Sequence, residues 1–166
     1  MLPFKNEEQI RSNVFARNQR EHELKFLADA TKLMEEVTKF AMNDKNIPKA
    51  HRFSIAVPLM HTVQRIVQHL YEANNCFPQL ENTDNEADAK YSLEKAKRVL
   101  EEREKYQSLA KSDCFYLQSL LINAKIVTPK LKVKSLERMS EALTDLIDTI
   151  LAWIKANKIY PPKPKQ

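Results

Sequence analysis

A chain of 166 residues, 43% hydrophobic and 30% charged, suits one domain that buries its own core without staples. Its formal charge of +5 permits a polyanionic partner without demanding one. Not one glycine is present, where average usage of about 7% would supply roughly a dozen. A Walker loop and a dinucleotide-binding fingerprint are thereby excluded, because both need glycine to bring backbone close to phosphate.

Residues 1–20 form an N-terminal extension with two open readings. Ile10, Val14 and Phe15 either carry the first helix backwards or belong to a mobile arm. From there, apolar residues recur at alternating spacings of three and four, the period of an amphipathic helix. The first stripe is Leu27, Ala30, Met34, Val37 and Ala41. Beside it run Phe26, Leu33 and Phe40, spaced by sevens, either a contact between subunits or the edge of a wide core face. Asn46 and Pro48 interrupt the pattern, since proline disfavours a helical residue before it.

The second stripe is Ala56, Leu59, Val63, Ile66, Leu70 and Ala73, with Pro58 either kinking the helix or marking its first turn. The third runs Leu93, Ala96, Leu100, Arg103, Gln107, Ala110, Cys114, Leu117, Leu121 and Ala124. Thr128 and Pro129 break it before Ser135, the expected cap of the fourth stripe: Leu136, Met139, Leu143, Leu146, Ile150 and Trp153. Helices are predicted near 20–43, 53–75, 86–126 and 135–157. Asn43, Asn46, Asn74, Asn75 and Asn157 stand at their ends and are expected to take the left-handed cap position. The predicted fold is all-α, an antiparallel up-down four-helix bundle over 21–158. Residues 159–166, rich in proline and lysine, are expected to be a disordered tail.

Up-down topology would place the first and third connections at one end. The first carries Lys45, Lys49 and Arg52 against Asp44, with His51 able to add charge near its ordinary pKa. The third carries Lys125, Lys130, Lys132 and Lys134 with no acid. Together they form an expected nucleic-acid-binding end, its affinity arising from counterion release, unless the lysines simply solubilise loops. The second connection, with Glu81, Asp84, Glu86 and Asp88, is acidic. Lys155, Lys158, Lys163 and Lys165 follow Asp148 with no further acid, as a second polyanion contact or a solvated end.

Catalytic patterns are scarce. No Glu-x-x-His pair of a di-iron bundle occurs, and His61 and His69 are joined by no further ligand pattern. Cys76 and Cys114 fit neither CxxC metal nor redox spacing and read as free thiols of a reducing cytoplasm. No apolar run can span a bilayer, and the opening lacks a secretory signal. A cytoplasmic, non-enzymatic protein needing no cofactor or metal and touching no membrane is expected. One string, Arg17-Asn18-Gln19-Arg20-Glu21-His22, resembles the R-N-x-x-x-H motif of HEPN-domain ribonucleases. That alternative would make Arg17 and His22 catalytic; a structural helical adaptor that ignores nucleic acid is another.

The stretch Ile47-Pro48-Lys49-Ala50-His51-Arg52-Phe53-Ser54-Ile55 resembles the IPK-x-HRF-[ST]-[IL] segment of Avd-like four-helix bundle proteins, the accessory variability determinants of diversity-generating retroelements. Leu143, Ile147, Ile150, Trp153 and Lys155 resemble that family's closing helix. The resemblance covers roughly residues 24–157 and implies a non-enzymatic, basic homopentamer. Its implied partners are a reverse transcriptase and the template RNA and cDNA of mutagenic copying. In that frame Pro48 fixes a turn, Lys49 and Arg52 supply charge, His51 caps carbonyls or anchors the loop, and Phe53 closes the bundle end.

Overall fold

The computed structural model describes residues 7–131 and 133–163, with 7–24 described for backbone alone. Four helices make up the fold: α1 (Glu7–Met42), α2 (Val57–Asn75), α3 (Glu86–Val127) and α4 (Val133–Lys155). A 3-10 turn at Lys49–His51 and a π turn at Arg52–Ala56 lead into α2. The predicted boundaries hold closely except at the start, where α1 extends backwards through residues 7–20. Of the two readings of that segment, its described backbone takes the helical one. Pro58 lies in the first turn of α2, where its missing N–H costs nothing.

Each helix packs on two neighbours. α1 lies close along α2 and α4, and α3 along the same two, while the backbones of α1 and α3, and of α2 and α4, stay apart across the core among the described residues. The stripes explain this order. Leu59, Val63, Ile66, Leu70 and Ala73 of α2 are fully enclosed, as are Leu143 and Ile150 of α4. Arg103 and Gln107, the two polar members of the third stripe, are buried too, at 1% and 0% exposure. Gln107 and Asn157 exchange a reciprocal pair of amide hydrogen bonds at 2.7 and 3.2 Å. The Arg103 guanidinium lies 4.7 Å from the centre of the Trp153 ring, a cation–π contact strengthened by exclusion of water.

Three expectations are corrected here. Phe26, Leu33 and Phe40 are 5%, 3% and 6% exposed and belong to the protomer's own core, so they cannot serve as a contact between subunits. α1 buries a face wide enough for both stripes, because two neighbours cover it. The asparagines do not enter left-handed conformations: no residue described has positive φ. Asn43 and Asn46 close the end of α1 by side-chain bonding instead. Asn46 Nδ2 donates to the Phe40 carbonyl at 3.2 Å, and the Lys45 amide donates to Asn43 Oδ1 at 3.0 Å. Asn85 accepts from the Ala87 amide at 2.9 Å to start α3, with Glu86 and Asp88 favourably placed against the helix dipole. Capping at α4 is corrected along with the asparagines, since Ser135 falls inside the first turn.

The third correction concerns the tail. Residues 158–163 are tied to the second connection. Tyr160 donates to the Pro78 carbonyl and accepts from Leu80, and its ring stacks on Phe77 at 4.6 Å. Gln79 Nε2 donates to the Pro161 carbonyl, and Asn82 Nδ2 to that of Lys163. Pro161 and Pro162 hold the chain extended, leaving the carbonyls of Tyr160, Pro161 and Lys163 to accept these bonds. Residues 164–166 lie outside the described ones.

Both cysteines are free. Burial pushes the Cys114 thiol up to about 12 and raises that of Cys76 less. Neither has the thiolate character of a nucleophile at neutral pH.

Candidate nucleic-acid interface

The first connection is a folded corner. The Ile47 and Asn46 amides donate to the Asn43 carbonyl, and the His51 amide to that of Pro48. Ile47, 2% exposed, plugs the corner into the core. This holds Lys45, Lys49 and Arg52 outward and exposed, with His51 half-buried at the end of the 3-10 turn. Asp44 faces two of these cations: its carboxylate lies 3.0 Å from Arg52 and 3.8 Å from Lys49. Part of the positive charge expected at this corner is therefore locally balanced.

The third connection uses its charges unevenly. Lys125 Nζ donates to the Pro129 and Leu131 carbonyls, both at 2.9 Å. Lys125 thus ties the loop after α3 back to its last turn and is not a free, solvent-facing phosphate contact, which corrects the expectation for it. Lys130 and Lys134 are exposed, and Lys132 lies outside the described residues.

The first connection and the first turns of α4 come together. A cleft of about 360 Å³ is lined by Glu36, Lys39 and Phe40 of α1, Asn46 of the first connection, and Ser135, Arg138 and Met139 of α4. Arg138 Nε sits 3.4 Å from Glu36 across this seam. The first connection therefore borders the same surface as the start of α4, with Glu35, Glu36 and Asp44 each paired to one of its cations. Lys39, Ser135 and Arg138 were missed in the sequence. The available signal was that core residues Phe40 and Met139 are each directly preceded by a cation.

Phe53 is also corrected. Expected to close the bundle end, it is 85% exposed, beside Arg52 at the start of the π turn. The extra residue of a π turn shifts the side chains that precede it around the helix, while Ile55 and Ala56 take the buried positions. The tail cations lie elsewhere. Lys158 and Lys163 flank the segment bonded to the acidic second connection, where Lys95 also meets Glu81 at 2.6 Å.

The remaining candidates for chemistry are structural or outside the described residues. His69 stands between Glu72 at 3.2 Å and Asp113 at 3.6 Å, while Arg65 grips Asp113 at 2.6 Å and joins α2 to α3. Hydrogen bonds from Gln68 and then His69 hold the Glu72 carboxyl below its ordinary value. The side chains of Arg17 and His22 are not among those described. Among the described residues no His, Cys, Asp and Glu group converges as metal ligands do, and no helix is long and apolar enough to cross a membrane.

Asp44 gives the corner a direct test. Asp44→Asn removes one charge about 4 Å from two cations, worth about 1 kcal/mol in water-like dielectric. The expected result is about fivefold tighter binding of a labelled RNA by fluorescence anisotropy at 0.1 M salt. Weaker binding would show that Asp44 orders Lys49 and Arg52 for contact more than it neutralises them.

Searches against protein-family models, curated proteins and solved structures find nothing that matches this chain.

Proposed function

We propose that this chain is a non-enzymatic accessory protein of a reverse transcriptase, binding template RNA and cDNA through the phosphate backbone at one end of an antiparallel up-down bundle. The cyclic order of helix contacts and the short connections between successive helices support that topology. One observation carries the binding role: Asn46 of the first connection and Ser135 and Arg138, just after the third, line the same cleft. Cations from two corners then act as one field, and each phosphate they neutralise releases counterions.

The polymerase partner, the homopentameric ring and the place in a diversity-generating retroelement rest on the resemblance at residues 47–55. Such a ring would bring every protomer's basic end to one face. Its interface would lie outside the α1 stripe, and the exposed row Phe115, Ile122 and Ile126 on α3 is a surface able to supply it. Two free cysteines support a reducing, cytoplasmic setting.

The test is incubation of the purified chain with end-labelled structured RNA at low salt. Complex formation with the RNA left intact is expected. Shortened RNA, with cleavage lost in His22→Ala, would replace this reading with the nuclease one.

A further inference from the structure

From the composition of the α1–α4 cleft, we infer that it receives a single unpaired nucleotide, so that this end of the bundle selects single-stranded nucleic acid over duplex. This inference rests on the nucleic-acid reading above and names the ligand of that same site. A volume of about 360 Å³ falls at the lower end of the range that small-ligand sites occupy, about 300–1,000 Å³. A smaller cleft of about 140 Å³ lies on α3 and sets Glu94 and Glu102 against Lys95 and Arg98, with no net sign.

The walls of the larger cleft divide by chemistry. Phe40 and Met139, 6% and 1% exposed, are core side chains that surface at its floor. They close the floor from beneath, and the aliphatic stems of Lys39 and Arg138, which line the same cleft, supply the apolar contact for a base. Lys39 and Arg138 stand at the rim, one from each helix, and Asn46 and Ser135 add an amide and a hydroxyl. Cation, hydrogen-bonding group and apolar floor are what a phosphate, a sugar and a base respectively require.

The rim cations are held only loosely by acids. Lys39 meets Glu35 at 3.7 Å, with both side chains well exposed. Arg138, 69% exposed, meets Glu36 at 3.4 Å. The Lys39 pair is exposed on both sides and therefore weak; Glu36 is only 23% exposed, so Arg138 takes an entering phosphate on its remaining N–H donors while still facing Glu36. A duplex cannot use the floor, because its bases are stacked and paired, and opening them costs free energy. Duplex binding is then confined to the lysines outside the cleft.

The experiment compares labelled ten-nucleotide oligouridine with a duplex of equal length at 0.1 M salt by anisotropy, with helical content followed by circular dichroism. The expected wild-type result is a preference of about tenfold for the single strand. Ser135→Trp fills the cleft without changing charge, and should abolish that preference while leaving duplex affinity within twofold. The double variant Lys39→Gln/Arg138→Gln alters only exposed side chains, and decides the question if tryptophan disturbs folding. It should weaken single-strand binding at least fivefold more than duplex binding. Single-strand affinity unmoved by these variants, or no wild-type preference, overturns the cleft assignment and leaves phosphate binding standing. Absence of binding to either probe overturns the nucleic-acid reading itself.

Discussion

Trp153→Ala is expected to destabilise the fold by about 4–5 kcal/mol, at the upper end of the range for deleting a buried aromatic side chain. The indole is 7% exposed, and groups from two other helices pack against it. Phe26 of α1 lies 4.7 Å away, tilted by 47°, and the Arg103 guanidinium of α3 lies at 4.7 Å. Removing the ring opens a cavity at the meeting point of α1, α3 and α4. It also leaves a buried cation without its aromatic partner, a contact worth about 2 kcal/mol when desolvated. For a chain of this length each kcal/mol shifts Tm by about 2–4 °C, so a fall of about 8–20 °C is expected. Trp153→Phe keeps an apolar ring against both partners and should cost well under half as much. A thermal scan by circular dichroism checks both variants. Equal Tm values for wild type and Trp153→Ala would mean that the three helices do not converge on this residue.

The largest effect on binding is expected from Lys45→Glu/Lys130→Glu/Lys134→Glu. These three cations are exposed, one in the first connection and two around the third, and none ties down carbonyls as Lys125 does. With a slope near −0.7 per phosphate on single strands, loss of three contacts lowers affinity by about a hundredfold at 0.1 M salt. A control separates local field from net charge. Lys90→Glu/Lys97→Glu/Lys105→Glu makes the same change in total charge on α3, at least about 33 Å along the helix from Val127. The Debye length at 0.1 M is about 10 Å, so the control should move affinity by less than tenfold. Equal losses in the two triple variants would show that attraction is generic to a basic chain.

Periodicity made the helices legible because burial imposes it: a residue facing the core every three or four positions leaves its mark whatever its neighbours are. It also placed Arg103 and Gln107 inside, since position outweighed polarity in the pattern, and Gln107 proved satisfied by Asn157. What could not be read were the pairings between distant segments. Asp44 with Arg52, and Lys125 with the Pro129 and Leu131 carbonyls, depend on how each corner folds. Counting charges along the chain treats every lysine alike, whereas geometry spends Lys125 on loop carbonyls and half-neutralises Arg52. The cleft was hidden for the same reason, as its cations belong to α1 and α4 and meet only in three dimensions. Tyr160 was read as part of a solvated tail because its partner, Phe77, lies far back in the sequence.

A salt titration of wild-type binding to a single-stranded RNA, from about 50 to 200 mM, tests most directly whether the two corners act as one cationic surface. Plotting log affinity against log salt should give a straight line with slope near −2 to −3, the signature of three or four phosphates held per protomer. A slope near zero, or no binding at the lowest salt, would contradict it.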